Sequence, residues 1–256
     1  MKKIILAAAA VLALVPASIS AFAATEVHIP KEQWGFSGVF GKFDRMQLQR
    51  GLQVYKEVCA SCHGLKQVAF RNLEALGYSE EQVKAFAAEY EFPTLDDEGS
   101  DITRKGLTSD YFPKPYPNEK FARASNNGAL PPDLSLITKA REGGPDYLFH
   151  LLTGYEDPPQ GMTVMDGMHY NKYFADGNFQ IAMARQLNDD QVTYADGTKA
   201  STDQIARDIT VFLHWAAEPN LEARNSTGFR VMIYMVIFTI LAFFLKQRIW
   251  ARLEKK

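Results

Sequence analysis

Cys59-Ala60-Ser61-Cys62-His63 decides the reading of this chain, and its two cysteines are the only ones in 256 residues. C-x-x-C-H is the spacing that attaches a c-type haem. Two thiols on one turn can bond to the vinyl groups of a porphyrin, while the adjacent imidazole reaches the iron. A redox dithiol does not need the neighbouring histidine, and a zinc site needs a second pair of ligands that the chain lacks. One haem c, held through Cys59 and Cys62 with His63 on the iron, is therefore expected. A porphyrin also supplies apolar core, so long irregular loops can be held against it.

The ends of the chain read as export and anchorage. Lys2-Lys3, the apolar run Ile4 to Val15 and Ala21-Phe22-Ala23 have the form of a secretory leader over residues 1–23, cleaved so that the mature chain starts near Ala24. At the other end, Val231 to Leu245 carries no charge. These fifteen residues span roughly 22 Å as a helix, short of the ~30 Å of hydrocarbon in a bilayer. A helix over 229–250 closes the gap, with Arg230, Lys246 and Arg248 reaching the interfaces and Trp250 at headgroup level. The positive charges that follow place the tail 251–256 in the cytoplasm, and hence residues 24–228 on the periplasmic side of a bacterial inner membrane.

Charge becomes informative once these segments are set apart. Without the leader lysines and the basic residues from 230 onward, residues 24–229 hold 20 of the 28 basic side chains and 29 of the 30 acidic ones, so the exported part carries about −9. Such a surface suits a basic protein partner and offers nothing to nucleic acid. The densest acidic run, Glu89, Glu91, Asp96, Asp97, Glu98 and Asp101, reads as a solvated loop around Pro93 and Gly99.

Helical spacing organises the exported part. Leu48, Leu52, Tyr55 and Cys59 share one face of a helix starting near Asp44 and running into the haem motif, and that face is expected on the porphyrin side. Ser201-Thr202-Asp203-Gln204 is a capping box opening a helix with Ile205, Ile209, Phe212 and Ala216 on one face, stopped by Pro219. Gly51 allows these two helices to cross closely. A third helix is expected around Pro145 to Gly154.

What the iron can do depends on its sixth position. His/Met ligation raises the potential and limits rearrangement, whereas an open site invites oxygen or peroxide chemistry. The donors available are His28, His150, His169, His214, Met46, Met162, Met165, Met168 and Met183. Met46 is too near the haem motif to reach the opposite face, and the histidines read as packing or solvated residues. Four methionines remain.

Several runs resemble a known family: Ser109 to Asn118 (SDYFPKPYPN), Ala124 to Ser135 (ASNNGALPPDLS), Leu151 to Tyr155 (LLTGY) and Phe212 to Pro219 (FLHWAAEP). In this order, over residues 30–256, they are similar to cytochrome c1, the haem subunit of the cytochrome bc1 complex. The resemblance implies a mainly α fold: a c-type cytochrome domain with long loop insertions and one C-terminal transmembrane helix. It implies Met183 as the distal ligand to His63, Pro131 and Pro132 against the haem, and Arg141 and Tyr147 near the propionates. Asn126 and Asn127 then hold backbone around the pocket, or serve the turn before Gly128. The implied partners are cytochrome b, the Rieske iron–sulfur protein that gives the electron and a cytochrome c that takes it, in a dimeric membrane complex. A stand-alone membrane-anchored carrier is the alternative. Two departures stand out. Relatives usually have prolines just after the ligand methionine, where this chain has Ala184-Arg185-Gln186-Leu187, and no further cysteines are present to clasp the loop around Tyr155 to Pro159.

Overall fold

The computed structural model describes residues 27–251, so the leader and residues 252–256 of the basic tail lie outside the described residues. In chain order the elements are α1 (Arg45–Val54), α2 (Glu80–Ala87), β1 (Glu91–Leu95), β2 (Asp101–Lys105), α3 (Glu119–Ser125), α4 (Ile137–Ala140), α5 (Gly144–Thr153), β3 (His169–Tyr170), β4 (Gln180–Ile181), α6 (Thr202–Ala217) and α7 (Leu221–Trp250). The architecture is mainly helical, with two small antiparallel ribbons and long loops.

Helix α1 begins where Asp44 accepts hydrogen bonds from the Met46 and Gln47 amides, satisfying donors that the first turn leaves free. It continues as a single π turn over Tyr55–Cys59 that delivers the two cysteines. Helix α6 starts with one half of the expected capping box, Ser201 Oγ accepting from the Gln204 amide, while the Gln204 side chain turns to Asp208. The two helices pack together, and Gly51 is the reason they can. A Cβ there would stand 2.2 Å from the Asp208 carbonyl oxygen and 2.5 Å from Phe212 Cβ. Around the crossing, fully buried Asp208 accepts from Arg50 Nε at 2.9 Å, Gln47 Nε2 at 3.1 Å and Gln204 Nε2 at 2.8 Å. One buried carboxylate is thereby solvated by three side chains, as such a charge requires.

Two expectations change. Leu48, Leu52 and Tyr55 do not wait for a porphyrin to cover them: they are buried by protein, with Tyr55 lying against Phe112 and Phe212 at ring separations of 5.5 and 6.0 Å. An apolar helix face needs cover, and α6 with the aromatic core supplies it. The acidic run is also not a plain loop. It forms the hairpin β1–β2, pairing Glu91 with Lys105 through Leu95 with Asp101, while Lys56 and Lys105 pair with Glu89 and Glu91. The third helix appears as α5.

The membrane segment expected over 229–250 is the latter part of a longer helix. α7 is continuous from Leu221 to Trp250 and long and apolar enough to cross a bilayer, and its long apolar stretch is exposed on every side. Its first turns belong to the globular part. Leu221 is buried, Glu222 accepts from the Phe43 amide and Arg45, and Asn225 Nδ2 donates to the Gly38 carbonyl at 3.1 Å.

Candidate functional site

The π turn ends in backbone bonds from the Cys62 and His63 amides to the Cys59 carbonyl, 3.2 and 2.9 Å long. These fix the two thiols and the imidazole on one short arc. Burial pushes the Cys59 thiol up to about 12, the opposite of the depressed value that an exchanging redox dithiol uses. Burial also lowers the His63 pKa, keeping the ring neutral as an iron ligand requires.

His63 is oriented from the far side of the sequence. Its Nδ1 lies 2.7 Å from the Pro132 carbonyl oxygen. A carbonyl can only accept, so Nδ1 carries the proton and Nε2 presents its lone pair. The Pro-Pro segment is itself held to the haem motif: the Leu134 amide donates to the Gly64 carbonyl at 2.8 Å, and Asp133 accepts from the Lys66 amide at 3.0 Å. On the cysteine side, the Tyr116 hydroxyl accepts from Asn126 Nδ2 at 3.0 Å and meets the Cys62 thiol. Asn126 is thus a brace beside the motif, bonded also to the Ala122 carbonyl. Asn127, with a positive φ of 50° ahead of Gly128, serves the turn.

The remaining expected residues lie on other elements. Arg141 follows α4, and Tyr147 lies one turn into α5. Burial raises the Tyr147 phenol, and the Arg141 guanidinium opposes that rise. Met183 is half-buried just after β4, and its carbonyl accepts from the Tyr155 hydroxyl at 2.9 Å. The loop of Tyr155 is held without cysteines, by an antiparallel bridge between Tyr155 and Asn171 and by an ion pair between Lys172 and Glu156.

Of the competing donors, Met162 and Met168 are half-buried, as Met183 is, and the Met165 amide donates to Gln180 of β4 at 2.8 Å. His150 is buried against Glu32, 3.4 Å away, His214 stacks on Phe36 with ring centroids 4.3 Å apart, His28 and His169 are exposed, and Met46 and Met165 are largely exposed. Among the described residues no cluster of His, Cys, Asp or Glu side chains forms a cage for a bare metal ion. Two closely spaced thiols, Cys59 and Cys62, and a histidine with a directed lone pair fit a c-type haem. Asp133, Tyr116 and Tyr155 escaped sequence reasoning because each acts on a residue distant in the chain. Only their place within the quoted runs could have pointed to them.

Comparison with known proteins gives the same answer from another direction. The chain is 49% identical to the protein named cytochrome b/c1 of Bradyrhizobium diazoefficiens over 87% of its length, spanning 35% of that longer protein. It is 44% identical to the cytochrome c1 of Rhodospirillum rubrum, covering 97% of this chain and 96% of the relative. Against the mitochondrial cytochrome c1 haem protein of Saccharomyces cerevisiae it is 48% identical over 90% of this chain and 74% of the relative. The model of the cytochrome C1 family matches residues 34–253, and with the haem motif, the Pro132-directed histidine and the C-terminal apolar helix in place, the chain belongs to the cytochrome c1 family.

Proposed function

We propose that this chain is the electron-transfer subunit of a cytochrome bc1 complex, with haem c joined to Cys59 and Cys62 and ligated by His63 and Met183. When bound, the haem supplies a one-electron couple that takes an electron from the Rieske iron–sulfur protein and gives it to a cytochrome c, while cytochrome b handles the quinol. The observation that carries this reading is the 2.7 Å contact between His63 Nδ1 and the Pro132 carbonyl. It leaves Nε2 as the one ring nitrogen free to ligate, and a hydrogen-bonded imidazole is a more basic ligand.

Other residues have supporting tasks. Pro131 and Pro132 wall the proximal face. Arg141 and Tyr147 receive propionates, whose charge needs a charge-assisted partner when partly buried. Residues 1–23 are a cleaved leader, 24–228 the periplasmic domain, 229–250 the membrane span and 251–256 a cytoplasmic tail, in a bacterial inner membrane and a dimeric complex. The stand-alone carrier is disfavoured by the grip of Glu222 and Asn225 on the globular part, since a lone shuttle gains from a loose tether and this anchor is clamped.

Redox-poised spectra of the membrane complex, wild type beside Met183→Leu, test the ligand set. Loss of a thioether is expected to lower the midpoint potential by a few tenths of a volt and to open the reduced iron to carbon monoxide. An unchanged potential moves the sixth ligand to Met162, Met165 or Met168. Failure of the wild-type chain to co-purify with cytochrome b would leave the lone carrier as the better reading.

A further inference from the structure

A methionine sulfur is a weak ligand, and it stays on iron only if the loop that carries it is held in place. Here that loop is Met183-Ala184-Arg185-Gln186-Leu187, which contains no proline, and the chain has no cysteine to spare for a disulfide across it. Stiffness has to come from hydrogen bonds and packing. On the N-terminal side, β3 and β4 pair His169 with Ile181 and Tyr170 with Gln180, so regular pairing stops two residues short of Met183. On the C-terminal side, Arg185 Nε donates to the Leu187 carbonyl at 3.1 Å and Gln186 Nε2 to the Ala184 carbonyl at 3.0 Å, and Leu187 is buried in the core. These bonds are local to the loop and tie it to nothing beyond itself. The side-chain bond that joins Met183 to a distant part of the fold is the one from the Tyr155 hydroxyl to its carbonyl, 2.9 Å across 28 positions.

Tyr155 is equipped for that task. It follows Gly154, where a Cβ would lie 2.5 Å from Tyr173 Cδ2 and 2.7 Å from the His150 carbonyl, so the chain leaves α5 by one tight route. It is bridged to Asn171, a fully buried amide that donates to the Leu151 carbonyl at 2.7 Å and accepts from the Tyr173 amide at 3.0 Å. The Asn171 amide in turn donates to the Phe179 carbonyl at 2.9 Å, in the segment that runs into β4. The end of α5, the 171 turn and the methionine loop therefore close one hydrogen-bonded frame, with Tyr155 as its strut.

We propose that Tyr155 is a positioning residue for the distal ligand: its hydroxyl, donating to the Met183 carbonyl, keeps the thioether seated on the iron, while Leu187 anchors the far end of the loop in the core and the other side-chain hydrogen bonds of the loop stay within it. This rests on Met183 being that ligand.

The test uses the intact membrane complex and three variants read side by side: Tyr155→Phe, Met183→Leu, and a chain with a ring-fluorinated tyrosine at 155, whose hydroxyl is a stronger donor. The readouts are the near-infrared charge-transfer band of methionine on ferric iron, the midpoint potential and the rate of carbon monoxide combination. One neutral hydrogen bond corresponds to up to about a tenfold change in the population of an opened loop. Tyr155→Phe is expected to weaken the band on warming, lower the potential by less than Met183→Leu does, and speed carbon monoxide combination by up to about tenfold. The fluorinated chain is expected to shift the same readouts the other way, and it decides the matter if Tyr155→Phe does not assemble. Should Met183→Leu alter all three readouts while both Tyr155 variants match wild type, Tyr155 is only a packing residue and the ligand assignment stands. Should Met183→Leu alter none, the ligand assignment itself fails.

Discussion

Glu222, in the first turn of α7, accepts a hydrogen bond from the Phe43 amide at 2.8 Å and another from Arg45 Nη2 at 3.0 Å. Phe43 and Arg45 flank Asp44, the residue that caps α1, and α1 leads directly into Cys59. The membrane helix thus holds the start of the helix whose end carries the haem motif. A link of this kind fixes the motif relative to the long apolar stretch of α7.

Glu222→Ala removes an acceptor from a partly buried amide and the carboxylate from Arg45, and is expected to cost about 1–2 kcal/mol. Glu222→Gln keeps an acceptor for Phe43 and should cost roughly half as much. Thermal melting of the detergent-solubilised, haem-loaded protein measures both. Spin labels on α1 should report greater rotational freedom relative to the membrane in the alanine variant; equal freedom in both would show that the clamp lies elsewhere.

Gly51→Ala attacks the crossing of α1 and α6. With backbone 2.2 Å away the added methyl cannot be accommodated by a side-chain movement, so the helices must separate. A loss of about 3 kcal/mol is expected, or a fall of roughly 6–12 °C in melting temperature for a domain of this size. Covalent haem, read as red colour in the denatured polypeptide, should fall in parallel, because α1 presents the thiols. Normal stability in this variant would mean that the two helices sit further apart than 2.2 Å implies.

The parts legible in the sequence are those written locally. Cys59 to His63, the Ser201 cap, the helix around Pro145 and the need for a small residue at Gly51 are each contained in a few neighbouring positions, where spacing and capping chemistry decide the outcome. The destination of the Leu48 face was not legible, since an apolar stripe packs equally well on a porphyrin or on α6. The β1–β2 hairpin was hidden by Pro93 and by acidic residues that belong to a solvent-facing ribbon as much as to a loop. The start of α7 at Leu221 was obscured because its first two turns are polar, and helix continuity there comes from docking onto Phe43, Arg45 and Gly38. Within the site, the motif residues could be read directly. The bonds from His63 to Pro132 and from Tyr155 to Met183 join positions 69 and 28 residues apart, and no local pattern encodes them.

His214 makes stability depend on pH in a defined direction. Its ring stacks on Phe36, its Nδ1 lies 3.2 Å from Thr138 Oγ1, and burial lowers its pKa to about 4; Glu218 works against that shift, while Lys139 and Arg224 add to it. The folded state holds this ring neutral, whereas the unfolded chain protonates it near the ordinary value of 6.5. Between the two values the unfolded state binds more protons, so stability from this group is complete above about pH 6.5 and drains away as pH falls toward 4. The full loss approaches ~3 kcal/mol, less where water reaches the half-buried ring. His214→Phe keeps the stack and removes the titration. Melting temperatures between pH 7.5 and 4.5 should therefore fall less steeply in the phenylalanine variant than in wild type. Identical slopes in the two proteins would assign the acid sensitivity to carboxylates such as Glu218, whose ion pairs with Lys139 and Arg224 already hold its pKa below the usual range.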